Sequence, residues 1–442
     1  MWERLRSLWT VPDLRNKILF TMAMLLVFRI VAHIPVPGVD PTKLAQALGG
    51  QSGQLGQLFG LLDVFSGGSL KTFSVAALGV YPYITASIVM QLLIPIVPKL
   101  DQLYREGGEA GRLKVNQYTR YLTVPLALLQ GLGQGTLFEN LGVIPQGQFS
   151  LFNASSFLPT VATLLTLTAG TMFLVWLGEL ITENGIGNGI SLIIFAGIVA
   201  GLPQLIGQEF VSSTGSGAGS ANVIQIVGYA VLSLVLIGAM VYIYQAHRRV
   251  PVQYPTKRMM GRRMAAGSSQ MTYIPIQVNS AGMIPLIFAQ SLLIFPVIVA
   301  EYLGASSNTI VANVATNVQF WFNQSRWWYW ILYFLLTVAF TFFYAKVVWD
   351  QQNIPENLQK QGAFIPGIRP GSPTTRYLNR VLWRVTTFGA IFLGIVAAAP
   401  FAIGASQYIS SAALLIVVGV ALDTVRQYEA QMVMRNYSGF LR

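Results

Sequence analysis

The side chains able to do chemistry in this chain are few and poorly grouped for it. Residues 178–191, GELITENGIGNGIS, place Glu179 and Glu183 four apart beside a run of glycines. Carboxylates at that spacing share one helix face and could relay a proton. The plainer reading puts both at the end of an apolar helix, with Gly185, Gly187 and Gly189 making a tight connection to the next. The glycine spacing fails the dinucleotide fingerprint, and no strand precedes it. No Walker lysine motif occurs, so the chain cannot be its own ATPase, and neither HExxH nor GxSxG is found. Two histidines, His33 and His247, and no cysteine leave too little for a histidine or thiolate metal site and exclude disulfides. Arg29 and Asp423 lie near the ends of apolar runs, where such groups reach water. The middles of those runs hold almost no ionisable residue, which argues against an ion-coupled path. No cofactor, metal site or small-molecule substrate is expected, and the chain is not expected to be an enzyme.

The elements that would position a site are membrane spans. The chain is 53% hydrophobic and 10% charged over 442 residues, where a soluble domain carries about 25% charged residues. Apolar runs fall at 18–34, 73–95, 121–138, 157–178, 190–206, 223–244, 279–299, 328–348, 384–402 and 409–425. The opening MWERLRSLWTVPDLRNK is charged and amphipathic, so no cleavable leader is expected in it. Lys and Arg alternate between the connections. They fill the N-terminus, 96–120, 245–278, 346–384 and the tail, and are sparse or missing elsewhere. The positive-inside rule then gives ten spans with both termini cytoplasmic, so most of the net charge of +12 is topological.

Two spans repeat one pattern. GVYPYITA at 79–86 and GMIPLIFA at 282–289 share Gly79 with Gly282, Pro82 with Pro285, Ile84 with Ile287 and Ala86 with Ala289. They are the second and seventh spans, an odd offset, so the copies would cross the membrane in opposite directions. That predicts an inverted repeat with a pathway between halves. Each proline is expected to break its span. Ahead of the second span, Leu58–Phe65 is a helix candidate of about two turns, far short of the roughly 20 residues a crossing needs.

Two basic loops are longer than topology requires. QAHRRVPVQYPTKRMMGRRMAAGSSQMTYIPIQ, with six Lys and Arg in 245–278, suits docking to an acidic partner such as ribosomal RNA or an acidic protein. GAFIPGIRPG, within 346–384, presents one arginine between a glycine and a proline.

FSGGSLKTFSVAALGVYPYITASIVMQLL, ITENGIGNGISLIIFAGIVAGLP, VNSAGMIPLIFAQSLL and GAFIPGIRPG together closely resemble the SecY-type channel family of the bacterial Sec protein translocase. The resemblance implies an all-α protein of ten transmembrane helices in two inverted halves around a central pore. These halves are 1–206 and 223–425, hinged at the outer loop 207–222, with a cytoplasmic tail at 426–442. It implies a channel for unfolded polypeptide that also opens sideways to lipid. By the same resemblance the pore ring is Val80, Ile84, Ile190, Ile194, Ile287 and Ile416. On sequence alone such residues read as ordinary core. The plug falls at about 58–70, including Leu61, Leu62, Asp63, Val64, Phe65, Ser66, Gly67 and Gly68. Glycines at 67–68 are expected to let it swing. Arg369, Arg262, Arg263, Lys257 and Arg258 would engage a motor or ribosome. The lateral gate would set Ala86, Ser87 and Met90 against Ile284, Phe288 and Gln290. The implied partners are the small subunits SecE and SecG, the motor ATPase SecA, the ribosome with its nascent chain, signal peptides and lipid. The implied location is the bacterial plasma (inner) membrane. A secondary transporter with broken helices is the alternative, and a membrane-embedded enzyme a more distant one.

Overall fold

In a computed structural model, the residues described are 12–37, 44, 63, 66–70, 72–140, 142–145, 149, 154–201, 219–254, 257–260, 263–266, 270–282, 284–304, 309–323, 326–402 and 411–439. The chain is mostly helical, and a helix overlaps each apolar run. In chain order the helices are α1 (Pro12–Val31), α2 (Tyr81–Ile96), α3 (Pro98–Glu106), α4 (Gly108–Asn140) and α5 (Ala154–Asn184). Next come α6 (Gly189–Gly201) and α7 (Gly219–Gln245), α8 (Ile284–Gly304), α9 (Thr309–Trp321), α10 (Trp327–Gln352), α11 (Ile354–Lys360), α12 (Ser372–Ala402) and α13 (Ser411–Gly439). Among the described residues, three segments are individually long and apolar enough to cross a membrane: Ser156–Asn184, Trp327–Lys360 and Ser372–Ala399. A fourth forms if α2 and the start of α3, bent by 102° at their junction, count as one. The bend has a local cause. Val97 precedes Pro98 and is extended (φ −99°, ψ 108°), the region a pre-proline residue prefers, and Pro98 then opens α3 without needing an amide hydrogen.

The prolines of the repeat do something other than break a span. Pro82 and Pro285 each occupy the first turn of a helix, α2 and α8, where a missing N–H costs nothing. Gly79 (φ +58°) and Gly282 (φ +68°) precede them in the left-handed region that glycine tolerates. Each helix starts two residues after its glycine. The repeat is thus one local device used twice: a left-handed glycine, then a proline-opened helix. Residues 73–80, expected as span, form turns and an isolated bridge of Ser74 to Pro35 instead.

The device extends further than the matched letters. Val75 and Val278 stand at the same offset as the glycines, and their carbonyls meet equivalent surfaces. The Val75 carbonyl oxygen occupies the space a side chain would fill at Gly170 in α5, and the Val278 carbonyl does the same at Gly389 in α12. Only glycine lets a backbone approach a helix this closely.

The chain divides into two compact units. The first comprises Met1–Ala230, Ser291–Tyr329 and Ala405–Arg442, and the second Val231–Gln290 and Trp330–Gly404. In the first, Leu44, Leu70, Phe73, Leu78, Phe138 and Leu167 form an apolar core with their neighbours, and Phe73 meets Phe138 edge-to-face at 4.5 Å. In the second, the basic region 245–278 departs from the all-α expectation. It forms antiparallel ladders of β1 (His247–Tyr254) with β4 (Gln270–Gln277), and of β2 (Lys257–Met260) with β3 (Arg263–Ala266). The reason is visible in β1: Val250 and Val252 are buried, alternating with more exposed neighbours at the two-residue period of a strand.

Candidate functional site

Val80 is the last residue before α2, and the Ile84 N–H donates to its carbonyl at 3.0 Å, the first helical bond of that segment. The two therefore lie one above the other on a single helix face. Val80 is buried and Ile84 half-buried. Ile190 and Ile194 repeat that spacing at the start of α6. This helix opens on Asn188, whose side-chain oxygen accepts the Ser191 N–H at 3.2 Å in the manner of an N-cap. The Ile190 side chain lies against Gly178 of α5, where an added Cβ would come within 2.8 Å of Ile190 Cγ1. Ile194, Ile416 in α13 and Ile287 in the first turn of α8 are buried. Ile287 belongs to the second unit and the other five to the first.

The expected gate residues have individual environments. Ala86 is fully buried and Ser87 turns its hydroxyl back to the Ile84 carbonyl at 3.0 Å. Met90 packs with Ile94 of α2 and Val115 of α4, so its burial is explained inside its own unit. Phe288 packs edge-to-face on Phe340 and Tyr344 of α10, at 5.7 and 6.0 Å. Ile284 is half-buried. Gln290 is buried, and its side-chain oxygen finds no hydrogen-bond partner among the described residues.

Of the expected plug, Leu61, Leu62, Val64 and Phe65 lie outside the described residues. Asp63, Ser66, Gly67 and Gly68 form a closed turn. The Gly68 N–H donates to the Asp63 carbonyl at 2.9 Å. The Ser66 hydroxyl donates to that carbonyl at 3.1 Å and accepts the Leu70 N–H at 3.1 Å. With Gly67 at φ +72°, this is how a helical turn commonly ends. The two glycines end this turn, and Gly67 packs against Gly197 and the Phe28 ring.

The two basic loops join in one body. Val250, Val252 and Ile276 of the β1–β4 ladder share a core with Trp349, Leu358, Ala363, Ile365, Leu378 and Leu382. Gln253 and Phe364 exchange backbone hydrogen bonds at 2.9 and 3.0 Å. Arg369 is exposed on this body, beside the half-buried Ile368. Gly367 (φ +81°) and Gly371 (φ +104°) frame it, and its carbonyl accepts the Thr374 hydroxyl at 2.9 Å. These contacts hold the backbone from which the Arg369 side chain extends. In the β2–β3 ladder Lys257 pairs with Ala266, Arg258 with Ala265 and Arg263 with Met260. Arg262 lies outside the described residues.

Glu179 pairs with a cation. Its Oε1 lies 2.7 Å from Nε of Arg120 in α4, a partly exposed ion pair. The glycine run beyond it is the tight connection expected: the Ile186 N–H donates to the Thr21 hydroxyl of α1 at 3.2 Å, and a Cβ at Gly189 would strike the Gly178 carbonyl.

The SecY family model matches residues 74–425. The chain belongs to the SecY family. Among curated relatives, the protein translocase subunit SecY of Streptomyces galbus is 43% identical over 98% of both chains. That of Aquifex aeolicus is 42% identical over 100% of both. Solved structures share the fold at low identity. A protein-conducting channel aligns with TM-score 0.57 and 17% identity over 94% of this chain and 92% of that one. A SecY channel whose plug domain stabilises the closed state gives 0.58 and 18% over the same shares. SecY-family membership makes this a multi-pass membrane protein and places it among non-catalytic channel subunits.

Sequence reasoning missed two things that position the site: the carbonyl–glycine contacts at Gly170 and Gly389 and the shared core of the basic loops. The first had a signal, since Val75 and Val278 extend the repeat at an unchanged offset.

Proposed function

We propose that this chain is the channel-forming subunit of a bacterial protein translocase. It passes unfolded polypeptides across the plasma membrane and releases apolar segments sideways into lipid. The observation that carries the reading is full-length membership of the SecY family, joined to the duplicated glycine–proline helix start. Ten spans in two inverted halves, 1–206 and 223–425, hinge at 207–222 and leave both termini in the cytoplasm. Val80, Ile84, Ile190, Ile194, Ile287 and Ile416 form the constriction. Branched aliphatic side chains offer a passing chain no hydrogen bond and an ion no counter-charge, so they seal by dewetting. Residues 58–70 stop the pore from outside. Ala86 and Ser87, facing Ile284 and Gln290, line the sideways exit. Met90 and Phe288 line it with them, each also packed within its own unit.

Energy comes from outside the chain, because no nucleotide motif is present. Arg369 engages the motor SecA, while Lys257, Arg258, Arg262 and Arg263 meet the ribosome or motor. SecE and SecG complete the complex. A Sec61 channel solved with a canine ribosome shares the fold (TM-score 0.54), which supports a ribosome as partner.

The lack of native cysteine makes the test clean. Single cysteines at Ile84, Ile287 or Ile416 should form disulfides with a cysteine-bearing secretory chain stalled in transit. Crosslinks only at lipid-facing control positions would defeat the pore assignment.

A further inference from the structure

Arg29, expected to reach outward to water, turns inward instead. Its Nη1 donates to the Gly67 carbonyl at 3.2 Å. That carbonyl belongs to the closed turn at the C-terminal foot of the stopper segment. The same foot is fastened on two further sides. Toward the end of α1, the Thr72 hydroxyl donates to the Ala32 carbonyl at 3.1 Å. There the Val36 N–H also donates to the Phe73 carbonyl at 3.0 Å and the Val75 N–H to the Ile34 carbonyl at 2.9 Å. Toward α6, Gly67 lies directly on Gly197: a Cβ at Gly67 would fall 2.9 Å from the Gly197 Cα and 2.9 Å from the Phe28 ring, and a Cβ at Gly197 would enter the Gly67 backbone.

The three attachments differ in kind. The bridge of 34–36 with 73–75 joins segments on the far side of the turn and does not involve residues 63–68. Contacts to the turn itself include Arg29, through one charge-assisted hydrogen bond, the Phe28 ring beside Gly67, and Gly197, a bare backbone surface. The Arg29 and Gly197 contacts are removable without unravelling the bridge. A hydrogen bond to a cation is stronger than a neutral one, particularly where water is scarce. The Gly67–Gly197 contact is backbone on backbone, with the Phe28 ring packed at its side. We propose that Arg29 and Gly197 form a clasp that holds the foot of the stopper in its closed position, and that opening the channel requires releasing the Gly67 carbonyl from Arg29. Arg29 is thus a positioning residue for channel closure. The inference rests on reading 58–70 as the stopper.

The test uses the complete translocase complex in liposomes, with resting chloride efflux as the readout and no substrate present. Arg29→Gln removes the cation. Gly197→Ala inserts a methyl group between the two backbones without touching a charge, and so carries the test if Arg29→Gln fails to accumulate. Each should raise resting efflux at least several-fold, and Arg29→Lys should fall between Arg29→Gln and the parent. The added efflux should disappear when a stalled secretory chain fills the pore. A leak from a damaged fold would persist, and that result would overturn the clasp. Efflux at the parental level in both variants would overturn it equally. Deletion of residues 58–65 separates the two readings. If the deletion leaks while both clasp variants stay tight, the clasp alone fails. If the deletion does not leak, the stopper reading fails with it.

Discussion

Replacing Gly170 or Gly389 with alanine tests the central claim about the repeat, that each copy is held by a valine carbonyl seated on a bare helix surface. At Gly170 the new Cβ would lie 2.7 Å from the Val75 carbonyl carbon and 2.9 Å from Val75 Cγ1, with the carbonyl oxygen nearer still. At Gly389 it would lie 3.1 Å from the Val278 carbonyl carbon and 3.5 Å from Val278 Cγ1, again with the oxygen nearest. The obstructing atoms are backbone, so no rotamer change relieves the overlap and the turn before α2 or α8 must move. Overpacking of this kind costs about 1–3 kcal/mol, and backbone rigidity points to the upper end. Alanine returns about 1 kcal/mol through helix propensity, leaving a net loss of about 2 kcal/mol. Gly238 in α7 supplies the control, since nothing lies within 4 Å of a Cβ built there. Its replacement should gain about 1 kcal/mol by the same propensity. Test and control then differ by about 3 kcal/mol, roughly two decades in the folding equilibrium. Purified variants unfolded in mixed micelles with increasing SDS, followed by tryptophan fluorescence, would read this order directly. If Gly170→Ala and Gly389→Ala resist denaturant as well as Gly238→Ala, the carbonyl–glycine contact does not hold the repeat.

Three other outcomes are expected. Arg369→Glu should abolish ATP-driven uptake of a secretory substrate into inverted vesicles while the channel remains in the membrane at parental amounts, because Arg369 is exposed and its neighbours hold the backbone; loss of the channel itself would make its role structural. Leu378→Ala removes a fully buried side chain from the shared core of the basic loops, a cost of about 2–5 kcal/mol. It should open 346–384 to limited proteolysis, and unchanged protection would refute the shared core. Glu179→Gln breaks an ion pair whose side chains are 43% and 25% exposed, so the unfolding free energy should change by less than about 1 kcal/mol; a larger loss would mean that Arg120 depends on this partner.

How much of this was legible in the sequence depends on the range of the interaction concerned. Apolar runs and the alternation of basic loops were readable, since both answer to the bilayer rather than to tertiary contacts, and a helix overlaps each run. The matched Gly79–Pro82 and Gly282–Pro285 were readable as letters, but their meaning was not. A proline in an apolar run reads as a break. Whether it breaks a helix or opens one depends on where the preceding glycine turns the chain, and those turns are set by α5 and α12 through Gly170 and Gly389. Arg29 read as a residue reaching for water, because sequence cannot say that a carbonyl 38 positions away needs a donor. The basic loops read as charge, yet their order comes from Val250, Ile276, Leu358 and Leu378 meeting across distant segments. The sequence alone determined what must lie in the membrane and which family the chain joins, because hydropathy, charge and motif spacing are properties of single segments. Tertiary structure alone decided which glycines carry a neighbour's backbone, which arginine faces inward and which loops share a core. Those depend on the close approach of residues far apart in the chain, and no local pattern encodes the distance between them.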